Sequence, residues 1–351
     1  MAYTTINKSS DHFNTKLYTG NATANHAITG VNFKPDFLWI KPRNMANDHR
    51  IHSPLGLSGS DYFLHANANN AETQNSNCVT SFDTDGFTLG NTDPGWNGNY
   101  NYVSWNWKAA GTSGSSNTDG SVTSTVSVNT TSGFSISQFN ATGSTMTFGH
   151  GLGAVPSVML IKRTDSNGNG NWIVYHKSIG ATKFLTLNDT SAETTSSTRF
   201  GDTEPTSSVA TVGSELLSGG TYIAYCFAEK TGFSKFGSYT GNGNADGAFV
   251  YTGFKPAFTL IKRSAGGTES WYINDNKRSA TGGTNPNHYY LLPNDSAAEG
   301  TSTSLKIDLL SNGFKIRNTD TSYNTSGSTY IYMAFAKAPL VGSNNVPATA
   351  R

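Results

Sequence analysis

Three times along this chain a proline leads an apolar run that ends in lysine six residues later. The runs are Phe33-Lys34-Pro35-Asp36-Phe37-Leu38-Trp39-Ile40-Lys41, Val155-Pro156-Ser157-Val158-Met159-Leu160-Ile161-Lys162 and Phe254-Lys255-Pro256-Ala257-Phe258-Thr259-Leu260-Ile261-Lys262. Downstream, Leu-x-x-Asn-x-x-x-Ala-Glu recurs as Leu64/Asn67/Ala71/Glu72, Leu185/Asn188/Ala192/Glu193 and Leu291/Asn294/Ala298/Glu299. Proline and glutamate stand 37 residues apart in the first two copies and 43 in the third. A closing run follows each: Tyr102–Trp107, Tyr222–Phe227 and Tyr330–Phe335. A chain that repeats at this spacing is built from copies of one supersecondary unit. The copies are placed at 1–110, 111–229 and 230–351, the last with an extended C-terminal tail. The Gly/Ser-rich Gly111–Gly120 reads as a flexible joint between the first two, and the short Glu229–Gly232 as a stiffer one.

Wherever periodicity is clear it is two. In the closing runs one face carries Val103, Trp105 and Trp107, or Ile223, Tyr225 and Phe227, or Ile331, Met333 and Phe335, and such a face must line a core. The opposite faces hold small residues, Ala224, Cys226 and Ala228 or Ala334 and Ala336, which implies close cover by a second surface. The proline-led runs are apolar on both faces, as central strands are, and proline is tolerated at a strand's entry. Turn signals such as Asp85-Gly86 and Asn312-Gly313 separate short apolar runs, and no long segment has helical spacing. The expected fold class is all-β: three tandem antiparallel β-sandwich repeats, jelly-roll-like, each of about 110 residues. Gly86-Phe87-Thr88-Leu89-Gly90-Asn91-Thr92-Asp93 is matched by Gly313-Phe314-Lys315-Ile316-Arg317-Asn318-Thr319-Asp320, and the middle unit lacks this block.

Composition narrows the function classes. Charged residues are 13% of the 351, against a typical value of roughly 25%. With 24 Lys+Arg against 23 Asp+Glu there is no basic surplus for a run of phosphates, so nucleic acid is not an expected partner. No apolar run approaches the roughly 20 residues of a spanning helix, so no membrane insertion is expected, and the N-terminus lacks the pattern of a signal peptide. Two cysteines, Cys78 and Cys226, lie in different units and are expected to be unbridged, which leaves neither a disulfide framework nor a cysteine zinc site.

HExxH, GxxxxGKS/T, GxSxG and C-x-x-C are all missing, so no cofactor or metal is expected and the chain is read as non-enzymatic. Asp48, His49 and His52 are read as a polar strand or loop face in preference to a metal site. Asp83-Thr84-Asp85-Gly86 is read as a hairpin turn in preference to a calcium loop. Asn67/Glu72 and their counterparts are read as turn-holding groups in preference to three ligand sites. The basic ends Lys41/Arg43, Lys162/Arg163 and Lys262/Arg263 are read as solvated strand ends. Aromatics amid Asn, Asp and Gly suit contact with a sugar or a protein surface. The candidate receptor or glycan-contact loops are therefore Asp93, Trp96, Asn97 and Tyr100, matched by Asp320, Tyr323 and Asn324. The plainer alternative has Trp96 and Tyr323 plugging the end of a sandwich.

The motifs FKPDFLWIK, SFDTDGFTLG, YVSWNWKA, YIAYCFAEK, GFKPAFTLIKR and YIYMAFAKAPLVGSNN resemble the tandem β-rich repeats of virion structural proteins from marine and cyanobacterial bacteriophages. The resemblance covers essentially the whole chain and supplies no catalytic residues. It implies a virion component assembled in the host cytoplasm: a tail or fibre part contributing to host attachment, with other virion proteins as partners, a homo-oligomer in the particle, and a host surface glycan or protein as its target. A capsid decoration protein is the alternative. A glycan depolymerase drawing an acidic pair from Asp83, Asp85, Asp93 or Glu72 is a third reading.

Overall fold

The computed structural model describes residues 3–165, 170–278 and 285–341, together with 344 and 346. The fold is all-β, with several antiparallel sheets, none closed. The helices among the described residues are a 3-10 turn, Ser9–Asp11, and a single α-turn, Ser197–Phe200, so no helix is long and apolar enough to cross a membrane. Most of the expected C-terminal tail lies outside the described residues.

Each stretch contributes one large sheet. Its centre is the closing strand, flanked by an earlier strand of the stretch and its proline-led strand: Asn101–Trp107 lies between Phe13–Thr19 and Phe37–Pro42, Thr221–Phe227 between Phe134–Asn140 and Val158–Arg163, and Thr329–Pro339 between Ser234–Thr240 and Phe254–Ala265. The register is the same in all three. Trp107 stands opposite Phe37 and Phe13, Phe227 opposite Val158 and Phe134, and Phe335 opposite Phe258 and Ser234. Pro35, Pro156 and Pro256 therefore occupy corresponding places, each two residues ahead of the paired Phe37, Val158 or Phe258.

A small sheet covers each large one. Gly86–Leu89 is the middle strand in the first stretch and Gly313–Ile316 in the last, where Phe87 and Phe314 lie fully buried. The middle stretch lacks that block and has a two-stranded sheet, Met146–Gly149 with Val209–Val212. Ala224, Cys226 and Ala228 pack under it in one apolar cluster, and Ala334 and Ala336 under the small sheet of the last stretch in another. Small side chains let the second layer come close. Both cysteines are free and buried.

The other faces of the three large sheets meet each other. Trp39, Trp105, Trp107, Tyr225, Phe227, Phe258, Met333 and Phe335 belong to a single buried cluster drawn from all three stretches. Phe37 stacks on Tyr225 at 4.3 Å, Phe13 on Phe335 at 5.2 Å, and Trp107 meets Phe258 edge-on at 5.6 Å. The periodicity announced these faces as core-lining without revealing that they line one common core. Gly111–Gly120 is likewise no free joint: Ser115–Asn117 pairs as an edge strand with Ser124–Asn129, and the Asp36 carboxylate accepts from the Ala109 and Gly111 N–H groups.

Hooks across the seams complete the assembly. The Glu72 N–H bonds Thr164 O, Glu193 N–H bonds Ser264 O and Glu299 N–H bonds Arg43 O, so the loop of each stretch clasps the next and the last clasps the first. Trp172 Nε1 donates to His65 O and Trp271 Nε1 to Thr186 O across the same seams.

Truncation of Phe258 to Ala at the common centre is expected to cost about 3–5 kcal/mol by denaturant unfolding. Ala224→Phe, under the small sheet, is expected to cost about 1–3 kcal/mol by overpacking. An unchanged melting temperature in either variant would contradict the packing described.

Candidate functional site

The candidate loops connect the small sheet back to the closing strand. Asp93 starts one loop: its carbonyl accepts from the Trp96, Asn97 and Gly98 N–H groups and its carboxylate from Gly95 N–H and Asn75 Nδ2. Asp320 does the same in the last stretch, its carbonyl accepting from Tyr323 and Asn324 N–H and its carboxylate from Ser322. Such Asx turns are why Asp sits there.

The loops deliver their aromatics inward. Trp96 is 1% exposed and Tyr323 not at all, so neither is presented as a surface anchor. Trp96 Nε1 donates to His52 Nε2 at 2.7 Å, and the Arg50 guanidinium lies over the indole at 4.3 Å. Tyr323 Oη donates to Asn274 Oδ1 at 2.8 Å. Asn97 and Asn324 are buried as well. Asn97 donates to Thr23 O and Gly90 O and accepts from Asn21 N–H; Asn324 donates to Asn244 O and Asn318 O and accepts from Asn242 N–H. Above them Tyr18 stacks on Tyr102 at 4.9 Å and Tyr239 on Tyr330 at 5.1 Å. Of the seven candidates, Asp93, Tyr100 and Asp320 are half-buried, the first two in the connection 90–100 and the third in 317–328. The plugging alternative describes Trp96 and Tyr323.

The remaining sequence candidates are also consumed locally. His49 Nδ1 accepts from Trp39 Nε1 on the common-core side, whereas His52 meets Trp96 on the other face of the strand, so the two cannot share a metal ion. Asp48 pairs with His65 at 3.1 Å and accepts from Asn67 Nδ2, which holds its carboxyl well below the usual range. Among the described residues no group of three His, Cys, Asp or Glu is placed to hold a metal. Asp83-Thr84-Asp85-Gly86 is the turn of the hairpin joining Val79–Asp83 to Gly86–Leu89, and the Asp85 carboxylate accepts from Gly30 and Asn32 N–H. Asp83 binds Ser81 and Thr88, and Glu72 binds Ser58, so the carboxylates proposed as acidic partners serve separate turns.

Asn67, Asn188 and Asn294 share one role: each accepts the N–H that starts the adjacent strand, from His49, Trp172 and Trp271. The basic strand ends depart furthest from expectation. Lys41, Lys162 and Lys262 are buried, not solvated. Lys162 Nζ donates to Asn69 O and Lys262 Nζ to Thr190 O, each in the loop of the preceding stretch, and Lys41 Nζ to Pro42 O. Burial draws all three down to about 8. The sequence trait the three lysines share is that each closes a run apolar on both faces.

A feature without a sequence signal is the ion cluster closing the seam between the last and first stretches. Arg278, fully buried, pairs with Asp275 at 2.6 Å and Glu299 at 3.0 Å; Glu299 also meets Arg43 at 2.7 Å, and Asp275 accepts from Trp105 Nε1.

Burial keeps three histidines neutral: it draws His52 down to about 3, His176 to about 4, and His49 well below its usual value. Unfolded histidine takes its proton near 6.5. The unfolded state thus binds more protons below that pH, and stability present above about 6.5 is lost toward pH 4. Asp36, raised to about 6 by burial, opposes this as a single group. The melting temperature is expected to rise from pH 7 to 8, where Lys41, Lys162 and Lys262 give up protons that the unfolded chain still holds, and to fall from pH 6 to 4, less steeply in His52→Gln. A level profile down to pH 4 would contradict it.

A family described as a domain of unknown function, DUF7483, matches residues 8–339. No curated protein and no solved structure matches the chain.

Proposed function

We propose that this chain, which belongs to the DUF7483 family, is a non-enzymatic structural protein of a bacteriophage virion, a tail or fibre component contributing to host attachment. In this reading it consists of three tandem copies of one jelly-roll-like sandwich unit, joins other virion proteins, forms a homo-oligomer in the particle, and binds no nucleic acid or membrane. The observation that carries the proposal is where the chemistry went: the aromatic, basic and acidic groups that stand out in the sequence are spent inside the scaffold. A part that must keep its shape outside a cell is served by interlocked sheets and a polar, weakly charged surface. The motif resemblance to phage repeats supplies the particle.

Capsid decoration is the second reading, favoured by the burial of Trp96 and Tyr323, which removes the aromatics best suited to anchor a receptor. Copy number in purified particles separates the two: tens or fewer for a tail part, hundreds for decoration. Absence from purified particles contradicts both. Release of reducing sugar from host polysaccharide would revive the depolymerase.

Trp96→Ala and Tyr323→Ala are expected to lower the melting temperature, the cost being about 3–5 kcal/mol for a buried ring. Adsorption to host cells per folded molecule should stay the same. Adsorption lost at full stability would make these loops the receptor contact after all.

A further inference from the structure

The middle stretch departs from its neighbours where the others seat a loop aromatic, a comparison that rests on reading the stretches as copies of one unit. Arg50, opposite Ile40, lies under Trp96; Tyr272, opposite Ile261, lies 5.0 Å from Tyr323. The residue at that register in the middle stretch is Ile173, opposite Ile161. The connection into its closing strand, 213–220, is also shorter than 90–100 and 317–328 and carries no aromatic.

A smaller side chain under a shorter loop leaves space. A cleft of about 270 Å³ opens there, lined by Arg163, Asn171, Ile173, Arg199, Glu215 and Tyr222, with Leu217 beside them 54% exposed. Each arginine has its own carboxylate: Arg163 meets Asp165 and Arg199 meets Glu215, both at 2.8 Å, and Arg199 also lies on the Phe184 ring at 4.7 Å. Nη1 of Arg163, in the cleft wall, has no hydrogen-bond partner among the described residues. Tyr102 and Tyr330, at the register of Tyr222, donate to the loop carbonyls Pro94 O and Thr321 O, whereas Tyr222 Oη accepts from Leu217 N–H.

We propose that this cleft binds one pyranose ring of a neutral glycan. Sugar hydroxyls both donate and accept, and the cleft offers donors on Arg199 and Asn171 and an acceptor on Glu215 without net charge. Leu217, 54% exposed, gives the apolar surface that a C–H face of the ring needs, and Ile173, 5% exposed, contributes only an edge to the lining. Charge compensation disfavours an anionic ligand, since each arginine is already paired. The volume falls below the roughly 300–1,000 Å³ of sites for drug-sized ligands, which suits a single ring. The site does not depend on where the protein resides.

The test is titration of the intact chain with methyl α-D-glucopyranoside, methyl α-D-mannopyranoside and methyl β-D-galactopyranoside, with methyl β-D-glucuronide as the charged arm, followed by saturation-transfer NMR. At least one neutral glycoside is expected to bind saturably, near the millimolar range. Ile173→Tyr, which installs the residue of the last stretch, and Glu215→Gln are each expected to weaken it about tenfold or more with the melting temperature kept. No saturable binding of any neutral glycoside, preference for the glucuronide, or binding indifferent to both substitutions would overturn the proposal. A structure of the Ile173→Tyr variant separates the two ideas. A ring outside the cleft would contradict the comparison between stretches, and wild-type binding would then decide the site alone.

Discussion

Burial of three aromatic strand faces against one another is the interaction on which the other features depend. A closing strand with Val103, Trp105 and Trp107 on one face has its own stretch's small sheet on the other side, so among the described residues no second sheet of that stretch covers this face. The same holds for Ile223, Tyr225 and Phe227 and for Ile331, Met333 and Phe335. A large apolar side chain gains roughly 1.5–3 kcal/mol on leaving water, and well-placed ring pairs add about 0.5–1.5 kcal/mol each. Covering one face with the other two is the arrangement that removes all three from water.

The polar anatomy follows from that convergence. Bringing three sheets together buries the ends of the proline-led strands, so Lys41, Lys162 and Lys262 are placed where only backbone carbonyls remain to receive their ammonium groups. The loops bearing Glu72, Glu193 and Glu299 supply backbone bonds over the seams, and the last seam adds the Arg278 cluster. Removing one partner from such a buried pair typically costs about 3–5 kcal/mol. That burden is a reason for these groups to be fixed in place, and it leaves few of them for chemistry on a ligand.

Much of the fold was legible in the sequence. Alternation marked the closing strands and their two faces, the small-residue face announced a close second layer, and Asp85-Gly86 marked its hairpin. What alternation cannot encode is the identity of the surface that covers a face, so the common core and the three stretches' interdependence were invisible. The same limit misplaced Lys41, Lys162 and Lys262, since a terminal lysine reads alike whether water or a neighbouring carbonyl receives it. The loop around Trp96 misled for a related reason: Asn, Asp and Gly mark a turn, and composition is silent on whether the turn aims its ring outward or into the sandwich. The cleft beside Ile173 left a trace only as a difference, a missing block and a shorter connection.

Native-state hydrogen exchange tests the central claim, a single core on which all three stretches depend. Amides at the centres of Asn101–Trp107, Thr221–Phe227 and Thr329–Pro339 should exchange with one common opening free energy, equal to that of global unfolding, because no closing strand can open while the other two stay packed. Three distinct values, each with its own denaturant dependence, would mean that the stretches are independent domains and would contradict the account.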